Sequence, residues 1–415
     1  MGRCFSDEVE QALRYIYYDM GAGEGQRGFA LLQKASAEGD GDASCILARC
    51  YCGYQYVWDG HGFPEDDKMA KTLLHQSVEQ GSALGVLVTL RSGLLTPSVQ
   101  RKMPFANLKE AFEQVLQKAW DGDAFCQYTI GNSYFWEDFL RIENKGRSSF
   151  ATDEEYRAYR TENLSKCEEW LWKAFRGGVY FGGNNLRHYY TEGERGLIAP
   201  CPEKADDLRR IGAEYGYPNY MYTYGLELSR QKRPGALDWF KKAAERGEGN
   251  AWYYVGEAYV KGEVVPEDSA YAASCFDKGL SSKNANETRI YNSDMLGSMY
   301  YDGKGVRTDY DKAFRLLTYA YANGSTWGSD YLGRCYFRGR GTQQDFVRAR
   351  ELVELKKWNR PENWYMLGYI YGRGFGVPQD IEKAVLYLQK AGDHPEAKEE
   401  LLRYKKTMFG KWKVR

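Results

Sequence analysis

The chain has 415 residues, 43% hydrophobic and 27% charged, enough for two or three ordinary domains or one long repeat array. Lys and Arg number 57 and Asp and Glu also 57, with a pI near 6.9, so no global field favours nucleic acid or an anionic membrane. Nine cysteines, an odd number with no secretion signal, suit reduced thiols in a cytosol.

The N-terminal MGRCFSDEVEQALRYIYYDM lacks the basic, apolar and small-residue succession of a signal peptide. Gly2 followed by Ser6, with Cys4 between them, matches an acylation pattern that short sequences also meet by accident. The aliphatic run ALGVLVTL (83–90) is far too short to span a bilayer. Cys50 and Cys52 lack zinc-ligand spacing and would point about 200° apart on a helix.

A glycine-containing motif then recurs along the chain. It begins as GHGFPEDDKMA (60–70) and weakens in YGLELSRQKRPGALDWFKKAA (from Tyr224) and VGEAYVKGEVVPEDSAYAA (from Val255). It is sharpest in LGSMYYDGKGVRTDYDKAF (from Leu296), LGRCYFRGRGTQQDFVRAR (from Leu332) and LGYIYGRGFGVPQDIEKAV (from Leu367). The glycines after Leu (Gly297, Gly333, Gly368) are 36 and 35 residues apart, and Gly303/Gly305, Gly339/Gly341 and Gly374/Gly376 hold the same register. A single phosphate-binding loop would occur once, behind a strand. A period near 36 that follows a helical pattern each time is instead the mark of a helical solenoid.

Within each unit, the second helix carries an apolar stripe at i, i+3, i+4 and i+7, as in Ala384, Tyr387, Leu388 and Ala391. Asp309, Asp345 and Asp380 stand where an N-cap is needed. Gly131, Gly256, Gly297, Gly333 and Gly368 lie inside first helices, where close helix contact has to offset the poor helix propensity of glycine. About ten helix pairs follow, at 5–40, 43–81, 83–122, 124–178, 180–217, 218–248, 250–284, 290–324, 328–358 and 363–392, with a terminal helix near 395–408. The whole chain reads as one solenoid: capping helices at 1–42, divergent repeats at 43–248, regular repeats at 250–392, and a capping helix with a basic tail at 393–415. A charged insertion at 137–163 fits either a long surface loop or extended helices.

The run of Leu-Gly, Tyr, Gly-x-Gly, Asp and Lys-Ala resembles the Sel-1-like repeat family, relatives of the tetratricopeptide repeats. The resemblance is specific over 250–392 and 43–81 and faint over 83–217. It implies an all-α, right-handed α/α superhelix that acts as a non-catalytic adaptor or scaffold, with no cofactor and no catalytic residues to carry over. A secreted branch of the family has a disulfide in every repeat; the cysteines for it are lacking here, which favours a cytoplasmic location.

In related superhelices the first helix of each pair lines the concave face. If the Leu of Leu-Gly packs inward, residues five and two before it and two and five after it face that groove. This rule selects Tyr128, Asn132, Asn184, His188, Tyr222, Tyr253, Glu257, Asp294, Asp330, Arg334, Tyr365 and Tyr369. Tyr combines apolar area with a hydroxyl, so the set is expected to bind a peptide or partner protein, with packing between helices as the alternative for any one ring. No metal site is expected, because His61, His75, His188 and His394 are scattered and no His-Glu-x-x-His or Cys-x-x-Cys occurs. Nucleic acid is not an expected partner, and a membrane is one only through acylation at Gly2 or Cys4. Two other readings stay open: an effector that sequesters a cellular factor, and a carbohydrate-binding or hydrolytic solenoid.

Overall fold

The computed structural model describes residues 4–18, 24–53, 56–194, 196–355 and 360–415; Gly2 of the acylation pattern lies outside them. The chain is an all-α solenoid that forms two compact units, Met1–Glu248 and Gly249–Arg415.

In the second unit the repeat motif becomes geometry. Four helix pairs follow one another: Ala251–Lys261 with Ser269–Ser281, Arg289–Asp302 with Tyr310–Ala322, Ser329–Arg338 with Phe346–Leu355, and Pro361–Arg373 with Ile381–Lys390. A Cβ on Gly297 would lie 2.9 Å from Leu317, one on Gly333 2.8 Å from Val353, and one on Gly368 2.6 Å from Leu388. The two helices of a pair therefore meet along the glycine, and the alanines opposite (Ala313, Ala349, Ala384) have no exposed surface. Glycine costs about 1 kcal/mol in a helix. Burying one Leu returns about 1.5–3 kcal/mol, so the exchange is favourable.

The paired loop glycines have separate tasks. Gly303, Gly339 and Gly374 end the first helix in left-handed conformation (φ 69°, 64° and 70°), their N–H groups donating to the carbonyls of Met299, Cys335 and Ile370. Gly305 and Gly341, also at positive φ (73° and 70°), press on the start of the preceding unit's second helix, where a Cβ would collide with the Ser269 and Tyr310 carbonyls. Asp309 and Asp380 then accept from the N–H groups of Lys312 and Lys383 at 2.9 Å, and Asp345 from that of Arg348 at 3.0 Å, capping each second helix.

The terminal helix is shorter than the 395–408 expected: it spans Pro395–Leu401. The basic tail forms an antiparallel hairpin of Tyr404–Lys406 and Trp412–Val414, turning at Gly410 (φ 79°). Tyr404 is 2% exposed and packs over Gly372, and the Trp412 N–H donates to Glu382 at 2.7 Å.

The first unit is less regular. Its pairs include Gly41–Tyr51 with Asp67–Glu79, Ala124–Phe135 with Asp153–Arg176, and Tyr180–Glu192 with Pro202–Glu214. Of the two forms open to the 137–163 insertion, extended helix prevails: Asp138–Ile142 and a turn at Arg147–Ser149 lead into the 24-residue Asp153–Arg176 helix. Fully buried Asp138 ties the insertion to the body, accepting from Arg91 at 2.6 Å. At the N-terminus, Asp7–Leu13 passes into a π-helical turn, Arg14–Tyr18. The Tyr17 ring packs edge-on to Phe125 (4.8 Å) and Phe181 (5.9 Å), joining the chain start to the fourth and fifth pairs. Solenoid repeats ordinarily touch only their neighbours, so this segment is more than an end cap.

His61, 5% exposed, stacks against Phe63 and meets the Trp58 edge, each at 5.1 Å, while its Nε2 donates to the Ile16 carbonyl at 2.9 Å. Burial lowers its pKa from 6.5 to about 4 despite that hydrogen bond. Between these values the unfolded chain binds the proton and the folded chain does not, so stability falls as pH drops from 6.5 toward 4, by about 3 kcal/mol.

Two predictions follow from these contacts. Urea unfolding of wild type and His61→Phe at pH 7.5 and 4.5 should give a smaller acid loss in the variant; equal losses would refute the buried neutral imidazole. Gly341→Ala should destabilise by about 3 kcal/mol through backbone collision and positive φ, and Gly339→Ala by only about 1–2 kcal/mol. Equal effects in thermal melts would mean the second glycine is not a docking point.

Candidate partner-binding surface

In the first unit the Ala124–Phe135 helix places Tyr128 and Asn132 one turn apart on one face. Asn132 Oδ1 accepts from Asn185 Nδ2 at 2.6 Å, linking this helix to Tyr180–Glu192. Around the pair lies a cavity of about 260 Å³, lined also by Phe135, Trp136, Cys167 and His188. Trp136 is 53% exposed and His188 is exposed, so one wall is apolar and open and the other polar. The Cys167 thiol is pushed up to about 12 by burial and is protonated at neutral pH. The amide pair is only partly used: Asn132 Nδ2 and Asn185 Oδ1 make no hydrogen bond among the described residues.

Two of the sequence-selected residues, Asn132 and His188, thus meet at one cavity, and Tyr128 adjoins them. Asn184 does not line it; Asn185 does. A Cβ on Gly182 would lie 2.9 Å from the Leu171 carbonyl, so Phe181-Gly182 makes the close helix contact of this pair, but Asn185 stands at none of the rule's spacings from either Phe181 or Leu186. Tyr222, 3% exposed, packs against Phe240 at 6.3 Å.

In the second unit the selected residues largely engage one another or the next helix pair. Asp330, 1% exposed, accepts from Arg334 at 3.5 Å and from Arg360 at 2.8 Å. Buried Asp294 accepts from the Ser325 hydroxyl. Tyr365 stacks on His394 at 4.8 Å, whose Nε2 is 2.6 Å from Glu362. Glu362 in turn accepts from Arg338 at 3.1 Å. Tyr253, half-buried, lies 5.5 Å from Tyr291 and donates to Glu257 at 3.4 Å. Tyr369, half-buried, lies under the Arg373 guanidinium at 5.1 Å.

Sequence reasoning missed Arg49. It stands two residues after Leu47, in a pair where Leu47-Ala48 replaces Leu-Gly, so the groove rule applied with alanine in place of glycine would have found it. Arg49 is 3% exposed, and its guanidinium lies 5.0 Å from the Phe125 ring and 5.8 Å from that of Tyr128. No carboxylate pairs with it among the described residues, and its Nε and the buried Tyr17 hydroxyl have no hydrogen bond of good geometry. The groups that act on it electrostatically are Tyr17, Cys45, Tyr128 and Tyr56. Burial raises the Cys45 thiol to about 12 and the Tyr17 phenol well above its ordinary value, so neither supplies an anion. Ring contacts contribute about 2 kcal/mol, and a place in the last turn of Gly41–Tyr51 up to about 2. Removing an ion from water costs several kcal/mol, so the guanidinium is under-compensated.

Among the described residues no group of three or more His, Cys, Asp or Glu could hold a metal ion. No described helix is long and apolar enough to cross a membrane, and all nine cysteines are free.

The Sel1 repeat model matches residues 18–40, 46–82, 212–248, 251–283, 295–325, 331–355 and 365–395, together just over half of the chain. Among solved structures, the chain is similar to a Sel1 repeat protein from Oxalobacter formigenes, 18% identical over 97% of this chain and 96% of that one, TM-score 0.39. It is also similar to c5321, a protective antigen present in uropathogenic Escherichia coli strains and displaying an SLR fold. There the identity is 20%, over 95% of this chain and 85% of that one, with a TM-score of 0.44. The immunity protein Pa5087 from Pseudomonas aeruginosa is 22% identical over 46% of this chain and 72% of its own, TM-score 0.27. No curated protein matches the chain. Seven matched segments, spread from the first helix pairs to the last, make the chain a member of the Sel1 repeat family.

Proposed function

We propose that the protein is a non-catalytic interaction scaffold, and that its first unit binds an extended segment of a partner protein over Tyr128, Asn132, Asn185 and His188. The observation that carries this reading is the half-used amide pair. Asn132 presents a donor and Asn185 an acceptor, the complement of one peptide group's C=O and N–H. The adjoining cavity of about 260 Å³ accommodates a single apolar side chain on Trp136 and is smaller than ordinary metabolite pockets of about 300–1,000 Å³. A hydrolytic reading lacks support here: Cys167 is the one thiol lining this cavity, and it is held protonated. In the second unit, Tyr253, Glu257, Arg334 and Tyr369 keep part of their surface open and are that unit's share of the proposed binding face. Tyr222, Asp294, Asp330 and Tyr365 position their neighbours. Six buried free thiols suit a reducing compartment, hence a cytoplasmic scaffold.

The test is selection of a displayed random-peptide library on the full chain, then fluorescence polarisation with the enriched peptide. Asn132→Ala and Asn185→Ala should each weaken binding about tenfold (about 1.4 kcal/mol) in protein that stays folded, with a melting temperature lowered by only a few degrees for the lost interhelix bond, and Trp136→Ala should change the preferred side chain. Enrichment of peptides whose affinity ignores all three substitutions would move the binding face elsewhere.

A further inference from the structure

We infer that Arg49 is the receptor for one carboxylate of the bound partner, an acidic side chain or a C-terminal carboxylate; this rests on the peptide-binding reading above. The site is built from two helices of the first unit and the π-helical turn near the chain start. Gly41–Tyr51 supplies the guanidinium, Ala124–Phe135 supplies the Phe125 and Tyr128 rings beneath it, and the π-helical turn Arg14–Tyr18 supplies the Tyr17 hydroxyl. Arg49 is more than nine-tenths buried with no anion beside it among the described residues, and its Nε and the Tyr17 hydroxyl lack hydrogen bonds of good geometry. Among the described residues the cation meets only the neutral Tyr17 hydroxyl and Cys45 thiol, its Nε makes no hydrogen bond, and no carboxylate neutralises it. A planar carboxylate matches the guanidinium fork and carries the one negative charge that one cation neutralises. A phosphate dianion would leave a buried surplus. Tyr128 lies one turn from Asn132, so the carboxylate and the peptide group at the Asn132–Asn185 pair belong to one partner segment.

Tyr17 and the Phe125 and Tyr128 rings are themselves buried, so a carboxylate enters only as these side chains part. Tyr17 sits on a five-residue π-helix, a rare geometry that is frequent at functional sites.

The experiment is a thermal-shift titration of the full chain, wild type, Arg49→Met and Asn132→Ala. The probes are acetyl-Ala-Ala-Glu-Ala-amide, its Gln counterpart, the Gln peptide with a free C-terminus, and inorganic phosphate. Both carboxylate probes should raise the melting temperature of wild type saturably and bind at least tenfold tighter than the neutral peptide. Arg49→Met should erase that advantage while keeping the neutral peptide's shift, and Asn132→Ala should reduce the shift from all peptides. The difference between the two carboxylate probes tells a side chain from a terminus. Without ligand, Arg49→Met should melt no lower than wild type. A variant that melts well below wild type, or loses none of the carboxylate advantage, makes Arg49 a structural residue while the peptide reading stands. A stronger shift with phosphate than with either carboxylate overturns the assignment of ligand class. No shift with any peptide counts against both readings.

Discussion

Close approach between the two helices of each repeat is the constraint on which the rest depends. Where Gly297, Gly333 and Gly368 face Leu317, Val353 and Leu388, there is no room for a Cβ. That contact sets the rotation of each first helix about its axis, and hence which residues look away from the partner helix. Residues three before and one after the glycine are carried to the same face in every unit. The loop glycines extend this control from one repeat to the next, because Gly305 and Gly341 rest on the backbone of the preceding unit. Function in such a chain is a matter of which side chains occupy a face whose position the apolar contacts have already determined.

The two units use that face differently. In the second, charge is answered locally: Asp330 by Arg334 and Arg360, Glu362 by Arg338 and His394, Glu400 by Arg373 and Arg403. Several of these pairs join successive helix pairs, though buried Asp330 Oδ1, Arg334 Nε and both amide atoms of Asn363 make no hydrogen bond there. In the first unit the candidate face carries a half-used amide pair beside an exposed indole, and a guanidinium with rings but no carboxylate beside it among the described residues. Polar groups removed from water without partners are costly in a folded chain.

The repeat architecture was legible in the sequence because glycine, alanine and aspartate each answer a steric or hydrogen-bonding need that returns every 35 or 36 residues. Asp380 caps its helix as its spacing requires, and the insertion at 137–163 adds turns to a helix already specified by its apolar face. The tail was misread as helix because only the hairpin's buried Tyr404 and its bond to Glu382, both tertiary, choose strand over helix there. At the site, the groove rule selects Asn132 and His188 but not Asn185, which lies at none of its spacings from Leu186 or Phe181 and meets Asn132 through packing of the two helices. Arg49 escapes the rule because alanine stands where glycine is sought. That no described carboxylate lies beside it is a fact of three-dimensional packing that no spacing reveals.

The most direct measurement is hydrogen exchange of the full chain with and without a selected peptide partner. The account requires new protection in Ala124–Phe135 and Tyr180–Glu192, with a change at Arg14–Tyr18 where Tyr17 covers Arg49. Protection confined to the Asp153–Arg176 extension or to the C-terminal hairpin, with those segments unchanged, would contradict it.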